Sequence, residues 1–244
     1  MLDQHDYTDF LKTFAASMPK PPRAIVLFSA HWESGAQSIS TVDKYSTIYD
    51  FSGFQDELYQ MTYPARGDLA ISDEIQQLFE KNGIPSIMNP ERGLDHGAWA
   101  VLKLMYPDAD IPVVALSVNR FLTNEEQYRI GKALSSLREQ DILIIGSGGI
   151  VHNLRMLNWQ GGNTPDEWAV AFDDWIREKL ENWDLEALFE YEKSAPYAKE
   201  AVPTNEHFIP LLLAMGTGDG NRQAKLLHRS YQLGTLSLSC WEFN

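Results

Sequence analysis

Three of the six histidines in this sequence stand where open α/β sheets place their chemistry. His31 closes the run AIVLFSAHWE at residues 24–33, whose apolar start and small, polar end read as a buried parallel strand. His152 follows a later run of the same kind, DILIIG at 141–146, across a Ser-Gly-Gly turn. His207 comes directly after Glu206, in the first turn of an expected helix. Strand ends and helix starts face one side of a parallel sheet built from right-handed crossovers, so the three imidazoles are expected to share a crevice. Neutral imidazole is the commonest metal ligand, and three with an open position suit zinc or ferrous iron. Against this, a single histidine at a strand end is more often a hydrogen-bonded structural residue. The separations also match no local zinc pattern such as HExxH.

His96, in Gly93-Leu94-Asp95-His96-Gly97, is a different case. At a helix start its imidazole can give or take a proton, or Asp95 can simply cap the helix while His96 packs. Both readings stand at this point. His5 and His228 lie in polar settings and read as solvated surface residues. Gly146-Ser147-Gly148-Gly149 is no dinucleotide loop, because Val151 occupies the place of the last glycine of a GxGxxG fingerprint. No GxSxG elbow surrounds Ser29 or Ser147, and Cys240 is not beside a histidine in the sequence, which argues against a thiol nucleophile. Trp99, Trp159 and Trp168, with Phe51 and Phe54, either wall an aromatic pocket or belong to the core, which their helical spacing favours.

The elements that must position these residues alternate. Helices are expected at 6–17, at 72–81 with Ser72 as N-cap, at 95–105, at 123–139, from a capping box at 164–167 to 182, at 185–192, and at 204–216 with a kink at Pro210. Strands are expected at 24–29, 38–42, 84–88, 111–118, 141–146 and, to close, 234–243. Residues 45–70 have no lasting period and read as a long functional loop. The pattern implies one α/β domain over 1–244, with a mostly parallel central sheet and helices on both faces.

The 244 residues suffice for a substantial core, and a formal charge of −14 argues against nucleic-acid or anionic-membrane partners. One cysteine, no apolar run long enough to span a membrane and no signal-peptide pattern point to the cytoplasm.

Ordered motifs extend the argument: SAHWE at 29–33, DFSGF at 50–54, YPA at 63–65, GLDHGAW at 93–99, MYPDADIPVV at 105–114, GSG at 146–148, VHNLR at 151–155 and EHF at 206–208. Together they resemble the 4,5-DOPA extradiol dioxygenase branch of the class III extradiol ring-cleavage dioxygenases, in the LigB-like superfamily. The resemblance implies that His31, His152 and His207 hold one divalent metal ion per chain, Zn2+ or Fe2+, and that His96 transfers protons. In the wider superfamily the histidine after the GG turn has an acid–base role, which leaves His152 open between ligand and catalyst. The family pattern also has an earlier strand ending in His-Gly-Ser-Pro or His-Gly-Ala-Pro, which supplies the first metal ligand. The chain begins just past that position, so the alternative of a metal site lacking that ligand stands beside the full one. The strand's absence is expected to uncover a sheet edge and apolar surface.

The implied activity is cleavage of a small catechol by O2, with a homo-oligomer left open. The alternatives are a zinc-binding protein of the same fold with hydrolytic or no activity, and a non-enzymatic binding module. If imidazoles hold the metal, affinity is expected to fall as pH drops through the ordinary histidine range.

Overall fold

The computed structural model describes residues 5–159 and 164–244, so Met1–Gln4 lie outside the described residues. Helix α1 (Asp6–Ser17) ends before the Pro21-Pro22 pair, and the chain then enters β1 (Ala24–Glu33). Residues 24–30 of β1 are all buried, because the strand has neighbours on both edges and both faces. With β2 (Gln37–Ser40), β3 (Ser86–Asn89), β4 (Val113–Val118) and β5 (Ile142–Ser147) it forms a five-stranded sheet in the order β3-β2-β4-β1-β5. Val26 is opposite Val114 on one side and Ile144 on the other, both in parallel register. β2 runs parallel to β3 and meets β4 antiparallel through Ile39 and Leu116. The sheet is therefore mostly parallel.

Alternation along β1 divides the core. Ile25 and Leu27 pack on the face covered by α1 and α3 (His96–Met105), with Leu11, Trp99 and Leu102. Val26 and Phe28 pack on the opposite face with Phe79 of α2 (Leu69–Lys81), Ile130 of α4 (Asn124–Ala133) and Leu213 of α9 (Ile209–Thr217). Each such side chain contributes about 1.5–3 kcal/mol relative to exposure. A third cluster, around Phe172, Tyr191 and Phe208, joins α9 to α5 (Glu167–Glu181), α6 (Leu185–Phe189), α7 (Tyr191–Ser194) and α8 (Ala198–Ala201).

Several boundaries depart from expectation for local reasons. Asp68 rather than Ser72 caps α2, accepting from the Ile71 N–H; the Ser72 hydroxyl instead donates to Ser40 O at 2.8 Å. The Thr123–Glu126 capping box forms, but α4 stops at Ala133 and a 3-10 stretch follows at Ser135–Gln140. The box expected at 164–167 does not form, and α5 starts at Glu167 after Asp166. The expected 185–192 helix is two short ones, broken at Glu190. Near Pro210 the chain makes a 3-10 turn, Asn205–His207, and α9 begins only at Ile209. Proline at a helix start removes an N–H that has no partner anyway, so the expected kink is absent.

The closing run 234–243 is not one strand. It divides into β8 (Leu236–Ser237), paired with β7 (Tyr231–Gln232), and β9 (Cys240–Phe243), paired antiparallel with β6 (Ala224–His228) away from the central sheet. The buried carboxylate of Asp173 draws the chain in here, accepting from Arg229, Tyr231, Ser237 and Ser239. The outer edge of β5 pairs with no strand among the described residues. It borders a cavity of about 310 Å³ walled by Phe10, Phe14, Trp241 and Phe243. No helix among the described residues is long and apolar enough to cross a membrane.

Candidate active site

Four histidines meet beyond the carboxyl ends of β1 and β5. His31 is at the end of β1, His96 is the first residue of α3, His152 follows β5, and His207 closes the 3-10 turn before α9. The His31 and His207 rings meet edge to face, with their Nε2 atoms 3.3 Å apart. His152 stacks on His207 with centroids 3.6 Å apart and planes within 7°. On the other side His96 lies 4.0 Å from His31, centroid to centroid. The three expected ligands and the expected proton carrier thus form one continuous group.

Small residues make this convergence sterically feasible. The Gly149 N–H donates to His207 O at 2.8 Å, and a Cβ on Gly148 would lie 2.2 Å from that same oxygen. The GSGG stretch therefore serves close packing against the turn that carries His207. A Cβ on Gly97 would lie 2.9 Å from Cδ2 of His31. Beneath these rings Asp95 caps α3 through the Ala98 N–H and accepts from Ser29 Oγ at 2.6 Å and from Arg92 at 3.1 Å. The capping reading of Asp95 holds, and it does not displace the functional reading of His96.

Two carboxylates orient the rings. Glu206 Oε1 lies 3.0 Å from Nδ1 of His207. Asp50, in the loop between β2 and α2, lies 3.2 Å from Nδ1 of His31 and 2.9 Å from Nδ1 of His96. Hydrogen bonds from His207 first, then from its own backbone N–H and from Thr204, hold the Glu206 carboxyl down at about 2 despite its burial. Burial alone would raise Asp50, but hydrogen bonds from the backbone and ring of His96 outweigh it and hold it below the usual carboxylate range. Burial, then the neighbouring imidazoles, push His31 and His152 down to about 4. Both rings are consequently neutral at pH 7, the state a metal ligand requires.

The donor set fits a divalent ion. An ionised carboxylate only accepts, so the proton on His31 and on His207 belongs on Nδ1, leaving two Nε2 lone pairs facing each other. Two such lone pairs 3.3 Å apart repel each other, and a metal ion placed between them would turn that repulsion into coordination. Among the described residues, the grouping whose ligand-type atoms all lie within 4.8 Å of one another is His31, His96 and Asp50.

Asp50 was not singled out from the sequence. Its signals in the sequence are its place at the head of the DFSGF motif and in an aperiodic, aromatic loop. Phe51 beside it lies edge-on to His96 at 5.5 Å, and Phe54 is exposed at the loop tip. Trp99 is core and Trp168 packs against the third cluster, whereas Trp159 is exposed. The five aromatic residues therefore do not form one pocket. His5 and His228 are not simply solvated: His228 is half-buried and stacks on Phe10 at 4.9 Å, and His5 stacks on Tyr7. Cys240 pairs with His228 in the β6–β9 register, but burial pushes its thiol up to about 12, which keeps it protonated and non-nucleophilic.

Residues 3–239 match the family described as the catalytic LigB subunit of aromatic ring-opening dioxygenase. The chain is 43% identical to a 4,5-DOPA dioxygenase extradiol of Beta vulgaris over 230 residues, covering 92% of this chain and 84% of that protein. It is 34% identical to a protein of the same name from Escherichia coli (strain K12), covering 98% of this chain and 88% of that one. A crystal structure of an uncharacterized protein from Escherichia coli K12 superposes with a TM-score of 0.84 at 30% identity, covering 100% of this chain and 95% of that one.

Proposed function

Since the chain belongs to the family of the catalytic LigB subunit and is an aromatic ring-opening dioxygenase of the extradiol type, we propose that it opens a catechol ring beside its hydroxyl pair. Both atoms of O2 enter the product. The O–O bond and one ring C–C bond break, and the new chain ends are an aldehyde and a carboxylic acid, so no further reductant is needed. His31, His152 and His207 would hold one divalent ion, Fe2+ or Zn2+. Bound there, the ion supplies the charge that favours a deprotonated catechol and, as Fe2+, the capacity to engage O2.

The remaining work falls to the chain's own groups. With Nδ1 of His96 held by Asp50, its Nε2 is the atom free to take a proton from a substrate hydroxyl and return it to the product. Phe51 offers a flat apolar surface next to that ring. The observation that carries the reading is the facing pair of Nε2 atoms on His31 and His207, each on a ring whose Nδ1 meets a carboxylate.

The test is to load the protein with Fe2+ without oxygen, add a catechol such as DOPA, admit O2, and follow the yellow semialdehyde. Colour with Fe2+ and none with Zn2+ is the expected result. Ester or amide hydrolysis by the Zn2+-loaded protein, with no colour under any loading despite bound metal, would favour the hydrolytic alternative.

A further inference from the structure

Asp50 belongs to irregular chain, yet hydrogen bonds anchor it from both sides. The Ile48 N–H donates to Leu94 O, and the Leu94 N–H donates to Ser46 O. The Trp99 indole donates to Ile48 O at 3.0 Å, and the Tyr49 hydroxyl donates to Met61 O at 2.7 Å. Residue 50 is thereby tied to the segment that opens α3. Its Oδ1 accepts from the backbone N–H of His96 and faces Nδ1 of the same residue, each at 2.9 Å. Its Oδ2 faces Nδ1 of His31 at 3.2 Å. A cation held among these three side chains would have to displace the ring contacts.

We propose that Asp50 is a positioning residue that fixes the tautomers of two rings at once, one binding the metal and one moving protons. The proposal rests on the roles given to His31 and His96 above. A carboxylate has nothing to donate, so each neutral ring keeps its proton on Nδ1 and turns an Nε2 lone pair outward. For His31 that lone pair faces Nε2 of His207; for His96 it is the one available to substrate. One side chain thus couples metal affinity to proton transfer, and the two rings cannot be oriented independently.

Nitrogen-15 correlation spectra of the metal-free protein read the tautomers without reference to turnover. In the wild type both His31 and His96 are expected as Nδ1–H forms. In Asp50→Asn the amide oxygen stays on the His96 backbone N–H and the NH2 group turns to His31, so His31 alone switches to Nε2–H. Zn2+ affinity, titrated into the metal-free protein, should then fall about 10–100-fold while the melting temperature barely moves. Wild-type rings found as Nε2–H overturn the assignment, as does an Asp50→Asn variant with an unchanged His31 tautomer and unchanged Zn2+ affinity. If that variant does not fold, the wild-type spectra decide alone. Expected tautomers in a wild type that cleaves no catechol would refute the reaction proposed above and leave this assignment standing.

Discussion

The two halves of the histidine group solve one problem in different ways. On one side Glu206 serves His207, its neighbour in sequence, within a single 3-10 turn. Its second oxygen, Oε2, is buried with no partner among the described residues. On the other side Asp50 serves His31 and His96 together, from a loop that neither ring belongs to, and both its oxygens are engaged. A local carboxylate can orient only the ring beside it. A distant one can link two elements, here the end of β1 and the start of α3, so its loss should disturb two functions rather than one.

The largest effects should come from the rings themselves. His207→Ala removes one of the two facing Nε2 atoms and is expected to abolish tight Zn2+ binding and activity. His96→Gln should lower kcat about 10²–10⁴-fold with Zn2+ binding retained. Metal titration alongside turnover separates the two, and equal loss of both properties in His96→Gln would move that residue to the metal. Glu206→Gln comes next, costing about 10–100-fold in metal affinity with the His96 tautomer unchanged. A change at His96 would show that the two sides are coupled through more than Asp50.

The smallest effect is on pH dependence. Unfolded, His31 and His152 titrate in the ordinary histidine range; folded, they titrate near 4. Between those values the unfolded chain binds more protons than the folded one, so stability falls as pH drops through that window. The melting temperature of metal-free protein should decline by roughly a few degrees from pH 7 to 5, and His152→Gln should flatten the decline. A curve unaffected by that substitution would place the sensitivity elsewhere.

Legibility followed the range of the interaction. The end of β1 is recognisable because a strand with neighbours on both faces must be apolar along its length, and the Glu206-His207 pair because both residues are adjacent. The 3-10 turn and the late start of α9 were harder to see, since the 204–216 pattern is equally helical until Pro210 is placed at a helix start. The 234–243 run alternates like one strand, but Asp173, in a distant helix, recruits Ser237 and Ser239 and breaks it.

From the sequence alone came the α/β alternation, the placement of His31, His152 and His207 by one topological rule, and the nomination of His96. Each of these rests on periodicity, chain order or motif, which are properties of neighbouring residues. Only the tertiary structure brought Asp50 between His31 and His96, and only it set the Nε2 atoms of His31 and His207 at 3.3 Å. Hydrogen-bond reach and ring orientation depend on how separate elements pack, and no spacing along the chain encodes them.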